Sequence, residues 1–163
     1  MPVPKLVLCA LANKIIIDGD TNSFSLIDIV SNVTAIPVNL STEKLQNFGA
    51  EYKYIIPNME FCVIWQNDTE SIELEFDQMM GIRAPDGKVT HFPDYILEIN
   101  AQVPTFLRTR QFFPPTLLRM GGTYHVLACT RLNKRDEWKE VATYPFAVLI
   151  QDMPEQPRIS ADS

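Results

Sequence analysis

What is scarce in this chain narrows its function before any motif is read. Cysteine occurs three times, at Cys9, Cys62 and Cys129, with no CxxC pairing. An odd count without ligand-like spacing makes neither a disulfide framework nor a zinc site. Each cysteine falls inside an apolar strand pattern, which reads as a buried free thiol in a reducing compartment. Positive charge is short as well: 14 Lys and Arg stand against 20 Asp and Glu, a formal net charge of -6. Nucleic-acid binding rests on neutralising phosphates with cations, so no nucleic-acid partner is expected. No apolar run approaches the ~18–20 residues of a membrane helix, and no membrane insertion is expected. Histidine occurs only at His91 and His125, and the chain has no Gly-rich phosphate loop, HExxH or GxSxG. Internal repeats and low-complexity segments are lacking, as are the long amphipathic helices that connect the strands of a parallel sheet.

The 163 residues suffice for one domain with a sizeable core. Lys5 followed by LVLCALA mimics a secretory signal with an Ala-x-Ala end, but it has a single charge and falls short of the ~15–30 residues of such a signal. The small residue expected before a lipoprotein cysteine is also missing, so a cytoplasmic protein is expected. Residues 1–4 read as an extended lead-in, 5–151 as the folded domain, and 152–163 as a polar tail with Pro154 and Pro157.

Residues 6–33 organise the rest. LVLCALANKIIID and SFSLIDIVSNV read as two long strands of a hairpin, joined by the turn residues Gly19, Asp20, Thr21 and Asn22. The first is apolar on both faces, with Leu6, Leu8, Ala10 and Ala12 on one side and Val7, Cys9 and Leu11 on the other. A half-solvated strand alternates, so this one is expected to be covered on both sides. Beyond it, residues 41–48 offer one short helix, capped by Ser41 and stopped by Gly49. Residues 61–65 form a continuous apolar strand, and residues 71–77 alternate with Ile72, Leu74 and Phe76 inward and Glu73, Glu75 and Asp77 outward. Ala84-Pro85-Asp86-Gly87 has the composition of a tight turn. Strands follow at 88–92, 95–102 and 105–113, then a second long pair at 123–132 and 140–150. Pro145 within the last predicts a bulge or an edge position. Roughly eight strands at short spacing predict an all-β fold: a single antiparallel β-sandwich, immunoglobulin-like or C2-like, with at most one short helix.

Chemistry is sought where polar groups cluster. Asp18, Asp20 and Asn22 share a loop that offers oxygen ligands to a hard cation such as calcium, with Asp86 or Asp94 as further contributors. The spacing excludes an EF-hand, and the same residues are what a hairpin turn selects, so the turn is preferred and no metal or other cofactor is expected. A calcium- or lipid-responsive C2-like domain using Asp18 and Asp20 stays as the alternative. Asp28 shares an apolar row with Phe24, Leu26 and Val30 and, if buried, needs a hydrogen-bond partner. His125 near a cysteine and Asp28 is the one catalytic constellation to be weighed, and nothing convergent supports it. The triplets at Asn32, Asn39 and Asn67 matter only in a secreted protein. Phe106, Arg108, Arg110 and Phe112 share one face of their strand. They either pair as a salt ladder with Glu73, Glu75 and Asp77 or form a docking patch, since Arg and aromatics are enriched at interface hot spots.

The LVLCALANKIIID strand, SFSLIDIVSNV with its proline-containing exit, Gly122-Thr-Tyr124, and Pro145-Phe146 before Val148-Leu-Ile150 together resemble an uncharacterised bacterial family of small β-sandwich domains. The resemblance spans most of residues 5–151 and implies the fold without an activity. The expectation for function is a non-enzymatic module that binds a protein partner or itself.

Overall fold

The computed structural model describes residues 5–17, 24–38, 52–66, 73–102 and 106–151. Residues 1–4, the turn with Asp18, Asp20 and Asn22, the expected helix at 41–48 and the tail at 152–163 lie outside the described residues. Twelve strands are described: β1 (Lys5–Ile17), β2 (Phe24–Ile29), β3 (Asn32–Pro37), β4 (Tyr54–Ile56), β5 (Met59–Gln66), β6 (Glu73–Arg83), β7 (Val89–His91), β8 (Leu97–Gln102), β9 (Phe106–Phe113), β10 (Thr116–Leu118), β11 (Gly122–Arg131) and β12 (Lys139–Ile150). A single 3-10 turn, Pro93–Tyr95, opens the stretch read as one strand from residue 95. The fold is an all-β sandwich. Its smaller sheet has the order β2-β1-β5-β9, and its larger sheet the order β10-β4-β3-β12-β11-β6, with β7 and β8 both paired to β6.

The second strand of the opening hairpin is two strands in two sheets. β2 pairs with β1, the chain turns at Val30 and Ser31, and β3 joins the larger sheet parallel to β12. Every other described pairing is antiparallel. Two backbone hydrogen bonds mark the switch: Val30 is buried and its N–H donates to Leu11 C=O at 2.8 Å, while Ser31 C=O accepts from Ala147 N–H at 2.9 Å. Adjacent backbone groups are thus claimed by opposite sheets. Pro145 stands opposite His125 on β11, and the β3 ladder begins only at Ala147. At Pro145, then, β12 has a strand on one side, where a residue without an N–H is tolerated.

β1 departs from simple alternation twice. A bulge between Leu6 and Leu8 sets Leu6 opposite Trp65 and Leu8 opposite Ile64. Leu6 therefore joins Cys9 and Leu11 against the core, and Leu8, Ala10 and Ala12 form the outward row. Further along, Ala12 and Ile15 share one buried cluster although they are an odd number of residues apart, which a regular strand forbids. Across the hairpin Asp28 adopts a positive φ of 53°. Asp28 is exposed, not set in an apolar row as expected from sequence.

The main core lies between the sheets. Trp65 on β5 meets Phe76 on β6 edge-on at 5.3 Å, and Phe113 on β9 meets Phe92, which follows β7, at 5.5 Å. Within this apolar layer runs a chain of polar side chains. Trp65 Nε1 donates to Gln78 Oε1 at 2.8 Å, and Thr109 Oγ1 donates to the same oxygen at 2.9 Å. Gln78 Nε2 donates to Gln111 Oε1 at 2.6 Å, and Gln111 Nε2 donates to Tyr95 C=O at 2.6 Å. Gln78 is 0% exposed. Its amide joins β6 of one sheet to β5 and β9 of the other.

The left-handed residue makes a prediction opposite to β-propensity. On a regular exposed strand position valine is favoured. At φ 53° a β-branched side chain is strained, so Asp28→Val is expected to cost about 1–2 kcal/mol in urea unfolding, with Asp28→Gly near or above wild type. A valine variant as stable as the glycine variant contradicts the assigned conformation.

Candidate functional site

β9 closes one end of the smaller sheet's strand order, with β5 on one side and no strand on the other among the described residues. Period-two alternation divides it cleanly. Thr109, Gln111 and Phe113 are buried toward the core, while Phe106, Arg108, Arg110 and Phe112 point outward. The four residues expected as a docking patch therefore do share one face. Phe106 and Phe112, at 40% and 46% exposed, stand at its two ends.

The register extends this face across the sheet. Phe106 lies beside Gln66, Arg108 beside Ile64 and then Leu8, Arg110 beside Cys62 and then Ala10. Phe112 lies beside Glu60, then Ala12, then Ile29. Ala10, Ala12, Cys62 and Ile64 are nonetheless buried. Their cover is in part the curled end of the β1–β2 hairpin. Ile15 N–H donates to Glu60 Oε2 at 2.6 Å, and Arg110 Nη1 donates to Ile15 C=O at 3.3 Å. Ile15 and half-buried Leu26 then pack against the same cluster. The second apolar side of β1 is thus met partly by its own hairpin, while Leu8, Ile27, Ile29, Phe106 and Phe112 remain exposed around it.

The salt-ladder reading of these arginines is corrected. β9 pairs with β5, and β6, which carries Glu75 and Asp77, lies in the other sheet. Arg110 instead holds the hairpin backbone. Nor is Asp77 on a wet face: it is 8% exposed, and Arg131 Nε donates to its Oδ2 at 2.8 Å. The same guanidinium lies 4.5 Å above the Trp138 ring. Trp138 and Ile96 cover Met79, Leu127 and Cys129 on that side of the larger sheet.

The catalytic constellation does not assemble. Asp28 is on β2 of the smaller sheet, while His125 lies on β11 of the larger, opposite Arg83 and Pro145. The thiols are scattered over three surfaces: Cys9 toward the core, Cys62 beneath the outer face of the smaller sheet, and Cys129 beneath Trp138. Among the described residues no group of three His, Cys, Asp or Glu could hold a metal ion. Asp86, weighed as a calcium ligand, is ion-paired with Arg119. No described helix is long and apolar enough to cross a membrane, a statement that does not bear on β-barrels.

Sequence reasoning missed one feature entirely, a cleft of about 600 Å³ on the concave side of the larger sheet. β4 and β10 at one end of the strand order and β7 near the other line the same space, so the sheet is strongly curled. No sequence signal marks it, because its walls come from segments far apart in the chain. Gln78 was discoverable: the inward period of Phe76 continues through Gln78, Met80 and Ile82, with one polar member.

No protein-family model and no curated protein matches the chain. Among solved structures, the N-terminal domain of PorA is 11% identical over 88% of this chain and 98% of its own, with a TM-score of 0.27. A likeness that weak bears on neither fold nor function.

Burial pushes the Cys62 thiol up to about 11, with Cys9 adding to the shift and the Arg108 charge opposing it. Burial likewise pushes Cys129 up to about 11, with Glu140 adding and Arg83 opposing. A thiol that holds its proton more tightly folded than unfolded keeps its full contribution below the ordinary value of 9.0 and loses it as pH rises toward about 11. Urea unfolding below pH 9 and near pH 11 is expected to show it. The Cys62→Ala/Cys129→Ala variant is expected to show a shallower loss, and equal pH dependence of the two proteins contradicts the burial of these thiols.

Proposed function

We propose that this protein is a non-enzymatic interaction or assembly module that engages a protein partner, or a second copy of itself, through the outer face of its smaller sheet. The observation that carries this reading is the outward row Phe106, Arg108, Arg110 and Phe112 on a terminal strand, beside a surface where Leu8, Ile27 and Ile29 are also exposed. Aromatic and arginine side chains are the residues that most often dominate interface energetics. A terminal strand adds backbone N–H and C=O groups that another chain can pair with.

Two further facts support the reading. Apolar residues scattered singly over a surface need no explanation, whereas a contiguous group on one sheet face marks an interaction site. And the groups weighed for catalysis lie on separate surfaces, so the chemistry the composition allows is not gathered in one place. A cytoplasmic setting agrees with three free thiols, of which Cys62 and Cys129 are buried.

The test compares wild type with Phe106→Asp/Phe112→Asp. Both side chains are exposed, so the variant is expected to keep the wild-type circular dichroism spectrum and unfolding midpoint. Wild type is expected to show either concentration-dependent association in sedimentation or a stoichiometric partner in affinity capture, and the variant is expected to lose it. A monomer at all concentrations with no captured partner contradicts the proposal, as does association unaffected by the two substitutions.

A further inference from the structure

A cleft of about 600 Å³ in the curl of the larger sheet opens to solvent beside exposed Lys88 and Thr90 and matches the size of small-molecule sites. It lies away from the face assigned above to partner binding. Ile55 on β4, Leu117 and Leu118 on β10, Ile82 on β6 and Phe92 supply apolar walls. The polar groups are few: the hydroxyls of Thr90, Thr116, Tyr52 and Tyr124, and the cations Lys88 and Arg119. Two hydroxyls are already engaged, since Tyr124 donates to Met120 C=O at 2.8 Å and Thr116 to Pro114 C=O at 2.8 Å.

The charge of the lining runs against the charge of the chain. The protein carries a net -6, yet the lining contains two cations and, among the described residues, no carboxylate. The turn beside the cleft holds the Lys88 backbone and the Arg119 guanidinium. Gly87 takes a φ of 84°, which closes Ala84 to Lys88 through the bonds Gly87 N–H to Ala84 C=O and Ala84 N–H to Lys88 C=O, both 2.9 Å. The Asp86 carboxylate, outside the lining, accepts from Lys88 N–H at 3.1 Å and pairs with Arg119. The Arg119 guanidinium and the Lys88 backbone are therefore anchored to one tight turn. Cations beside apolar walls suit a ligand with an apolar body and an anionic head.

We infer that this cleft is a binding site for a small amphiphilic carboxylate, its aliphatic or aromatic body between β4, β10 and Phe92 and its head group at Lys88 and Arg119. The inference is independent of partner binding at β9.

The probe is 8-anilinonaphthalene-1-sulfonate, an aromatic body with one anionic group, displaced in turn by decanoate and by decanol. Saturable one-to-one fluorescence enhancement is expected. Decanoate is expected to displace the probe about tenfold more tightly than decanol, the scale of one charge-assisted contact. Lys88→Gln is expected to remove that difference and to leave decanol unchanged. Leu117→Trp, which fills the cleft from β10, is expected to abolish probe binding. Thr90→Phe fills it from β7 and serves the same purpose should the first variant fail to fold. Absence of saturable binding, binding that survives both filled clefts, or decanol binding as tightly as decanoate overturns the inference.

Discussion

The Gln78 side chain is the constraint on which the two-layer arrangement rests. Apolar contact between sheets is non-directional, so it favours burial without fixing how one sheet sits over the other. A buried amide is directional. Gln78 Oε1 accepts from Trp65 and Thr109, and Gln78 Nε2 reaches Gln111, whose own amide closes on Tyr95 C=O. Trp65, Gln78, Thr109 and Gln111 are buried, and leaving one of their polar groups unpaired costs ~1–3 kcal/mol. Sliding the smaller sheet along the larger by one residue pair breaks all of these bonds at once. The network thereby ties β6 to β5 and β9 in a single register.

That register decides what faces outward. With Thr109, Gln111 and Phe113 fixed toward the interior, Phe106, Arg108, Arg110 and Phe112 are committed to the opposite face. The β1–β2 hairpin then curls over part of the same surface, fastened by Glu60 and Arg110 to the backbone of Ile15. The outer face is thus a buried apolar strip bordered by exposed aromatic and aliphatic side chains. Such a surface resembles the anatomy of an interface, with a desolvated centre and a rim. The cleft arises separately, from the curl of the larger sheet.

Much of the strand content was legible because burial imposes a period of two. The turn at Asp86-Gly87, the long pair now seen as β11 and β12, and the outward row of β9 all follow from local pattern. The errors have a common origin in twist and register, which local pattern does not carry. A bulge at Val7 moved Leu6 to the other face from Leu8. Asp28 took a left-handed conformation, and the hairpin's second strand crossed to the other sheet at Ser31. Asp77 looked outward by alternation, and it does point away from the core. Its cover comes from Arg131, some fifty residues later, so no window around Asp77 contains the reason for its burial. The cleft had no local signature at all.

A polar clamp, and not apolar burial alone, joins the sheets. A double-mutant cycle on Gln78 and Gln111, each replaced by leucine and then both together, tests it by urea unfolding. Each single replacement strands a buried amide, whereas removing both partners of one bond leaves less unsatisfied. The double variant is therefore expected to be more stable than the sum of the single losses allows, by at least about 1 kcal/mol. Strictly additive losses would contradict the clamp and return the register to hydrophobic packing.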